Sequence, residues 1–229
     1  MMTQTRGHTR VCHQEEESME HLNRYLSQVV STLQILPQPP LNAIAEALWE
    51  TYRRDGTIFV CGNGGSAATA SHFACDLAKW TIRPPARRVR ALALTDNVPI
   101  MTAWSNDQSY TSVFVEQMIS HYRPGDMIVA ISGSGNSPNV LEAVGWANQI
   151  GAITVGMSGF DGGKLCRMAQ VPMRVENYCM PQVEDAHSMI CHALAVNLGQ
   201  QIEESLSDLT VDASAPQFVL LERMVGGYE

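Results

Sequence analysis

The sequence predicts a doubly wound α/β protein built on a parallel sheet, and three observations carry that prediction. Five short apolar runs, Thr57–Cys61, Val89–Leu94, Met127–Ile131, Ile153–Met157 and Val171–Val175, are continuous rather than alternating, as expected of strands buried on both faces. Segments with helical periodicity lie between them, and strands alternating with helices imply parallel βαβ units. Two of the runs lead into stretches of glycine and hydroxyl residues, Gly62-Asn63-Gly64-Gly65-Ser66 and Ser132-Gly133-Ser134-Gly135-Asn136-Ser137. In open parallel sheets, ligands sit beyond the carboxyl ends of the strands.

Taken in order, residues 1–16 carry no periodicity and read as an N-terminal tail. From Ser18 to Leu36, the residues Leu22, Tyr25, Leu26, Val29, Val30, Leu33 and Leu36 recur at intervals of three and four and make one face of a helix. That stripe is long for a helix that coats a small domain, and it equally suits a partner subunit. Pro37, Pro39 and Pro40 stop it. A second amphipathic helix is expected from Leu41 to Arg54. Further helices are expected over Ala67–Trp80, near Pro99–Trp104, and over Thr111–Tyr122, Pro138–Ile150, Gly163–Ala169 and Gln182–Glu204. Met118 and Trp146 fall at helical core positions. No boundary interrupts 41–204, so residues 17–204 read as one domain with an added N-terminal helix. Residues 205–229 set Asp208, Asp212, Glu222 and Glu229 against Arg223 and read as a C-terminal tail, or as an arm that docks on a neighbour.

Composition bounds the function. The chain has 229 residues, 45% hydrophobic and 17% charged, which is globular rather than disordered. Its net charge of −8 and pI of about 5.3 lack the footprint of a general nucleic-acid binder. The one basic cluster, Arg83, Arg87, Arg88 and Arg90, is short and reads as a solvated loop. The six cysteines are scattered with no CxxC, which excludes a zinc ribbon, argues against a disulfide framework and suits free thiols in a reducing compartment. No apolar run approaches the roughly 20 residues of a membrane span. The polar N-terminus has no signal-peptide h-region, so a cytoplasmic protein is expected, with no membrane partner.

The two glycine loops suit an anion. Gly62–Ser66 lets the backbone turn tightly and present N–H groups at a helix start, where the dipole favours negative charge. Ser132, Ser134 and Ser137 add hydroxyl donors, and a dense array of neutral donors without lysine suits a phosphate monoester. Gly62–Ala67 also fits a loose dinucleotide fingerprint, but the acidic residue expected about 20 positions on is missing; Asp96 lies well beyond, in a TDN turn. His72 and Asp76, four apart, share a helix face beside the first loop. Glu184, Asp185, His187 and His192 lie on the last helix. There Glu184 and His192 stand roughly 80° apart around the axis and about 12 Å along it, so they meet only at a point between them. Two histidines and two carboxylates (His72, Asp76, Glu184, His192) have the makings of a tetrahedral zinc shell. Asp185 and His187 read as hydrogen bonders without a catalytic role, and His8, His13 and His121 as surface or tail residues.

The stretches CGNGGSAATASHFACDL and AISGSGNSPNVLEAVGWANQIGAITVGMSGFDGGKL resemble the sugar isomerase (SIS) family, and its phosphoheptose isomerase branch in particular. The resemblance runs from about Leu22 to Glu203. It implies a three-layer, flavodoxin-like SIS fold with a five-stranded parallel sheet, assembled as a homotetramer with active sites at subunit interfaces. It implies Asn63, Gly64, Ser66, Asp96, Asn97, Ser132, Ser134, Ser137 and Glu184 as substrate contacts. It places a Zn2+ ion on His72, Asp76, Glu184 and His192, and it implies an aldose–ketose isomerisation of sedoheptulose 7-phosphate through an enediol. Such a reaction needs a base and an acid near C1 and C2 and stabilisation of the developing oxyanion. Asp76 is the candidate base and His192 the candidate acid. The chain departs from the family pattern at Asp76 (usually Glu), Glu184 (usually Gln), Pro181 (commonly Asp) and Gln182 (usually Arg). These departures keep open a non-catalytic SIS protein that binds a phosphosugar or a replication initiator, and an isomerase for a different sugar phosphate.

Overall fold

The computed structural model describes the backbone of residues 6–211 and the side chains of residues 20–207. The five apolar runs become five strands: β1 (Thr57–Gly62), β2 (Arg90–Ala93), β3 (Met127–Ser132), β4 (Ile153–Ser158) and β5 (Val171–Arg174). They pair in parallel in the order β2-β1-β3-β4-β5, the flavodoxin-like order. Successive side chains of a strand point to opposite faces, and two cores result. Ile58 and Val60 of β1 face a layer formed by α2 (Gln38–Arg53), α3 (Gly65–Lys79) and α8 (Met180–Val211), with Ile44, Leu48, Phe73, Leu77 and Leu194 fully or almost fully buried there. Phe59 and Cys61 face a layer formed by α5 (Val115–His121), α6 (Pro138–Gln149) and α7 (Leu165–Met168). Met118 is fully buried and Trp146 packs against that second core.

Three elements differ from the sequence reading. The N-terminal helix α1 runs from Arg6 to Gln34, so the expected tail over 1–16 is helical from Arg6 onward. That segment, RGHTRVCHQEEE, has Val11 and Cys12 as its only hydrophobic residues, and adjacent positions make no helical stripe, so it leaves no periodic signal. At the other end α8 continues past Glu204 to Val211, because no glycine or proline interrupts the sequence there; the rest of the expected tail, 212–229, lies outside the described residues. The helix expected over Thr111–Tyr122 divides into a 3-10 turn, Tyr110–Ser112, and α5. A further helix, α4 (Val98–Asp107), follows β2.

Along α1 the apolar stripe is only partly covered. Val29 is buried, whereas Leu22, Leu26 and Val30 are more than half exposed. The arginine cluster is tied down rather than free. Arg83 bonds Glu203 at 2.9 Å, and Arg87 bonds the Tyr52 carbonyl while its guanidinium lies over the Tyr52 ring. Among the described residues the cysteines Cys61, Cys75, Cys166, Cys179 and Cys191 are free, and no helix is long and apolar enough to cross a membrane.

Candidate active site

β1 and β3 are neighbours in the sheet, with β2 outside β1 and β4 outside β3. This is the topological switch point, where chain connections leave in opposite directions and open a crevice at the carboxyl ends. Both glycine-rich loops leave the sheet here. α3 starts at Gly65 after Gly64, whose φ is +56°, and α6 starts at Pro138 after Ser137. Neither helix is capped by a side chain of its N-cap residue, so the first-turn N–H groups are not taken up in that way and suit an anion.

The serine loop is braced from within and from behind. Ser132 and Ser137 share a hydroxyl hydrogen bond of 3.0 Å, and the Gly135 N–H bonds the Ser132 carbonyl at 2.8 Å. From the segment after β4, the N–H groups of Gly159 and Leu165 bond the carbonyls of Gly133 and Gly135 at 2.8 and 2.9 Å. Asn136 donates to the Ser134 carbonyl and accepts from the Lys164 N–H. The contact between the two segments is backbone to backbone: a Cβ on Gly163 would stand 2.5 Å from the Ser134 carbonyl oxygen. Ser134 is exposed and Ser132 and Ser66 are buried.

The first loop is tied to the second through Asn63. Its Nδ2 donates to Asn139 Oδ1 at 2.8 Å, and its Oδ1 accepts from Asn139 Nδ2 at 2.8 Å and from the Tyr110 hydroxyl at 2.9 Å. The sequence reading singled out neither Asn139 nor Tyr110. Asp96 accepts from the Ser71 hydroxyl, one residue before His72. Asn97, expected as a substrate contact, also caps α4, its Oδ1 accepting from the Ile100 N–H at 3.2 Å; Asn followed by Val-Pro is an N-cap signature.

The four expected ligands are only partly brought together. His72 and Asp76 on α3 meet His192 on α8: the two Nε2 atoms lie 3.4 Å apart, Asp76 Oδ1 lies 3.7 Å from His72 Nε2, and Asp76 Oδ2 lies 3.6 Å from His192 Nε2. Donor atoms around a tetrahedral zinc with bonds of about 2.0–2.1 Å are separated by about 3.3–3.4 Å. These three side chains therefore have the spacing needed to hold one small cation and leave a further position open. Two Nε2 atoms at this distance can hold a metal ion between them, and a carboxylate beside them completes a donor set of the kind zinc takes. Glu184, about 12 Å along the helix from His192, lies outside this cluster of three. Its carboxylate rests against the start of α3, where a Cβ on Gly65 would be 2.5 Å from Glu184 Oε1.

Three further polar residues of α8, Asp185, Gln182 and His187, bond other parts of the chain. Asp185 accepts from the Tyr25 hydroxyl at 2.5 Å, which holds the Tyr25 pKa up to about 12. Gln182 is buried and bonded to Gln28 at 2.8 Å and to Asn177 at 2.7 Å. His187 is fully buried, its Nε2 3.2 Å from the Ser158 carbonyl oxygen. Burial pushes its imidazole down to about 4, with the Ser158 hydrogen bond working against that shift.

A layered parallel sheet with two donor-rich loops at its switch point and a His–Asp–His cluster on its helices defines an α/β protein with an anion-type crevice, and sequence comparison assigns its family. The SIS domain model matches residues 19–159. The lincomycin biosynthesis protein LmbN of Streptomyces lincolnensis is 38% identical over 197 residues, spanning 82% of this chain and 71% of that protein. The phosphoheptose isomerase of Rhodospirillum rubrum is 39% identical over 155 residues, 66% of this chain and 82% of that enzyme. Among solved structures, the phosphoheptose isomerase GmhA from Neisseria gonorrhoeae superposes with a TM-score of 0.72 at 32% identity, covering 83% of this chain and 98% of that one. The chain belongs to the SIS domain family, in its phosphoheptose isomerase branch.

Proposed function

We propose that this chain is an aldose–ketose isomerase that interconverts sedoheptulose 7-phosphate and D-glycero-D-manno-heptose 7-phosphate. The observation that carries the reading is the cluster of His72, Asp76 and His192 beside two phosphate-type loops, in a chain of this family. Ser66, Ser134, Ser137 and the backbone N–H groups at Gly64 and Gly65 hold the phosphate, with Ser132 fixing Ser137. Asn63 and Asp96 contact the sugar phosphate from the β1 and β2 sides, and Glu184 lies at the mouth of the first loop as a sugar contact rather than a ligand. Asp76 removes the proton from the carbon next to the carbonyl, and His192 delivers a proton to the oxygen, giving the enediol. The steps in reverse order place the proton on the neighbouring carbon. His72, Asp76 and His192 are the residues that would hold a zinc ion, which when bound supplies Lewis acidity to the reacting carbonyl. Asp76 presents one oxygen to each imidazole, so one oxygen remains for proton transfer when the other is engaged, and His192 acts as acid only through a ring nitrogen that holds no ion.

The exposed stripe Leu22, Leu26 and Val30 on α1, with Met189 and Val196 exposed on the same helix as His192, supports a homotetramer in which a neighbouring copy covers the site. The free cysteines support a cytoplasmic location. The decisive experiment incubates the purified protein with ketose phosphates of five to seven carbons and follows solvent deuterium into C2. Incorporation with the seven-carbon substrate and stoichiometric zinc by elemental analysis are expected. No incorporation with any substrate overturns the enzyme reading in favour of a non-catalytic phosphosugar-binding protein.

A further inference from the structure

We infer that Asn139 and Tyr110 are positioning residues that fix the Asn63 amide so that it meets the phosphosugar as a donor only. The inference deepens the isomerase reading and rests on it for the identity of the ligand. The chain of constraint starts at a backbone group. The Val140 N–H, in the first turn of α6, donates to Asn139 Oδ1 at 3.0 Å, which determines which end of the Asn139 amide is oxygen. That oxygen then faces Asn63 Nδ2, and Asn139 Nδ2 faces Asn63 Oδ1, both at 2.8 Å. The Tyr110 hydroxyl donates to the same Asn63 oxygen at 2.9 Å. An amide oxygen has two lone pairs and an amide nitrogen two hydrogens. Both acceptor sites of Asn63 are thus filled and one of its hydrogens is used. What remains to a ligand is a single N–H.

Burial separates the fixed side of this pair from the working side. Asn139 is 2% exposed, whereas Asn63 is only half-buried and Tyr110 is 53% exposed. The pair also spans the switch point, joining the loop after β1 to the helix after β3 across 76 residues of sequence. An unrestrained asparagine can turn its amide over and offer oxygen or nitrogen. Here a turned amide would set oxygen against Asn139 Oδ1 and nitrogen against Asn139 Nδ2. The ligand atom facing Asn63 is therefore an oxygen that accepts, on the phosphate or on the sugar, and no hydroxyl need donate to this side chain.

The test uses the full chain with Asn139→Ala, Tyr110→Phe and Asn63→Ala, alone and combined. Sedoheptulose 7-phosphate binding is measured by calorimetry, alongside KM, kcat and the melting temperature. A charge-assisted hydrogen bond lost from a ligand site weakens binding on the order of tenfold, so Asn63→Ala is expected to do that. Asn139→Ala should approach the same loss and Tyr110→Phe should give about a threefold loss, as higher Kd and KM with kcat within about twofold. Neither should weaken binding further in the Asn63→Ala background, because both act through Asn63. Tyr110→Phe removes only a hydroxyl at an exposed position, so it remains informative if Asn139→Ala folds poorly. Losses that add to that of Asn63→Ala, or a lower kcat and melting temperature at unchanged KM, overturn the inference. A wild-type protein that binds the sugar phosphate without turnover, with variants weakened as above, overturns the isomerase reading and supports the positioning role. A wild-type protein that does not bind it overturns both.

Discussion

His187 and His192 stand five residues apart on α8, about 140° around its axis, and the fold gives them opposite environments. His187 points into the core and is held neutral by burial, its ring nitrogen against the Ser158 carbonyl. His192 is about half exposed, and its polar contacts among the described residues are another imidazole and a carboxylate. A buried histidine with a lowered pKa is ordinarily a candidate for chemistry, yet this one is fully buried in the core. The exposed one sits with titratable neighbours beside the donor-rich loops. The pair teaches that perturbation locates a function only when the perturbed group also faces an opening.

Three experiments would sharpen or break this contrast. The largest effect is expected at His192→Gln, which should lower turnover on the order of 10²–10⁴-fold while size-exclusion chromatography shows an unchanged assembly. Retained activity would remove His192 from proton transfer. The next concerns pH and stability. Above pH about 6.5 His187 is neutral in both the folded and unfolded chains. As pH falls from 6.5 towards 4 the unfolded chain takes up a proton that the folded one refuses, so stability declines across that window. The decline amounts to about 2 kcal/mol between pH 7 and pH 5. His187→Leu should flatten that part of the pH profile in denaturant titrations. Ser158 would not be orphaned, since its carbonyl also accepts from the Val175 N–H at 2.8 Å. An unchanged slope would mean that other groups set the acid sensitivity. The smallest effect is expected at Tyr25→Phe, which removes the hydrogen bond to Asp185. It should cost less than about 1 kcal/mol and leave KM unchanged; a raised KM would place the α1–α8 contact in the site.

Much of this architecture is legible in the chain itself. Strands buried on both faces must be continuous apolar runs, and loops that approach an anion must lack bulk, so β1, β3 and their loops stand out in the sequence. His72 and Asp76 are equally legible, since one helix turn joins them. Contacts that depend on distant segments are not. The Asn63–Asn139 pair links residues 76 apart, and neither side chain has a local signature of its partner. Glu184 fits a metal shell by chemistry, whereas its contact with the start of α3 at Gly65 depends on how α8 docks and has no local signature. The cap formed by Asn97 is written in its neighbours, since Asn before Val-Pro marks a helix start. The start of α1 is not legible, because two adjacent hydrophobic residues, Val11 and Cys12, make no helical stripe.

The nesting of the serine loop against the glycine turn at 159–163 has a consequence for affinity. Because backbone hydrogen bonds and close glycine contacts already hold the Ser132–Ser137 segment in one shape, its freedom is given up when the chain folds rather than when a ligand arrives. Less of the interaction with a phosphate is then consumed in ordering the receptor. A loop of the same sequence released from that support would keep every donor and still bind more weakly.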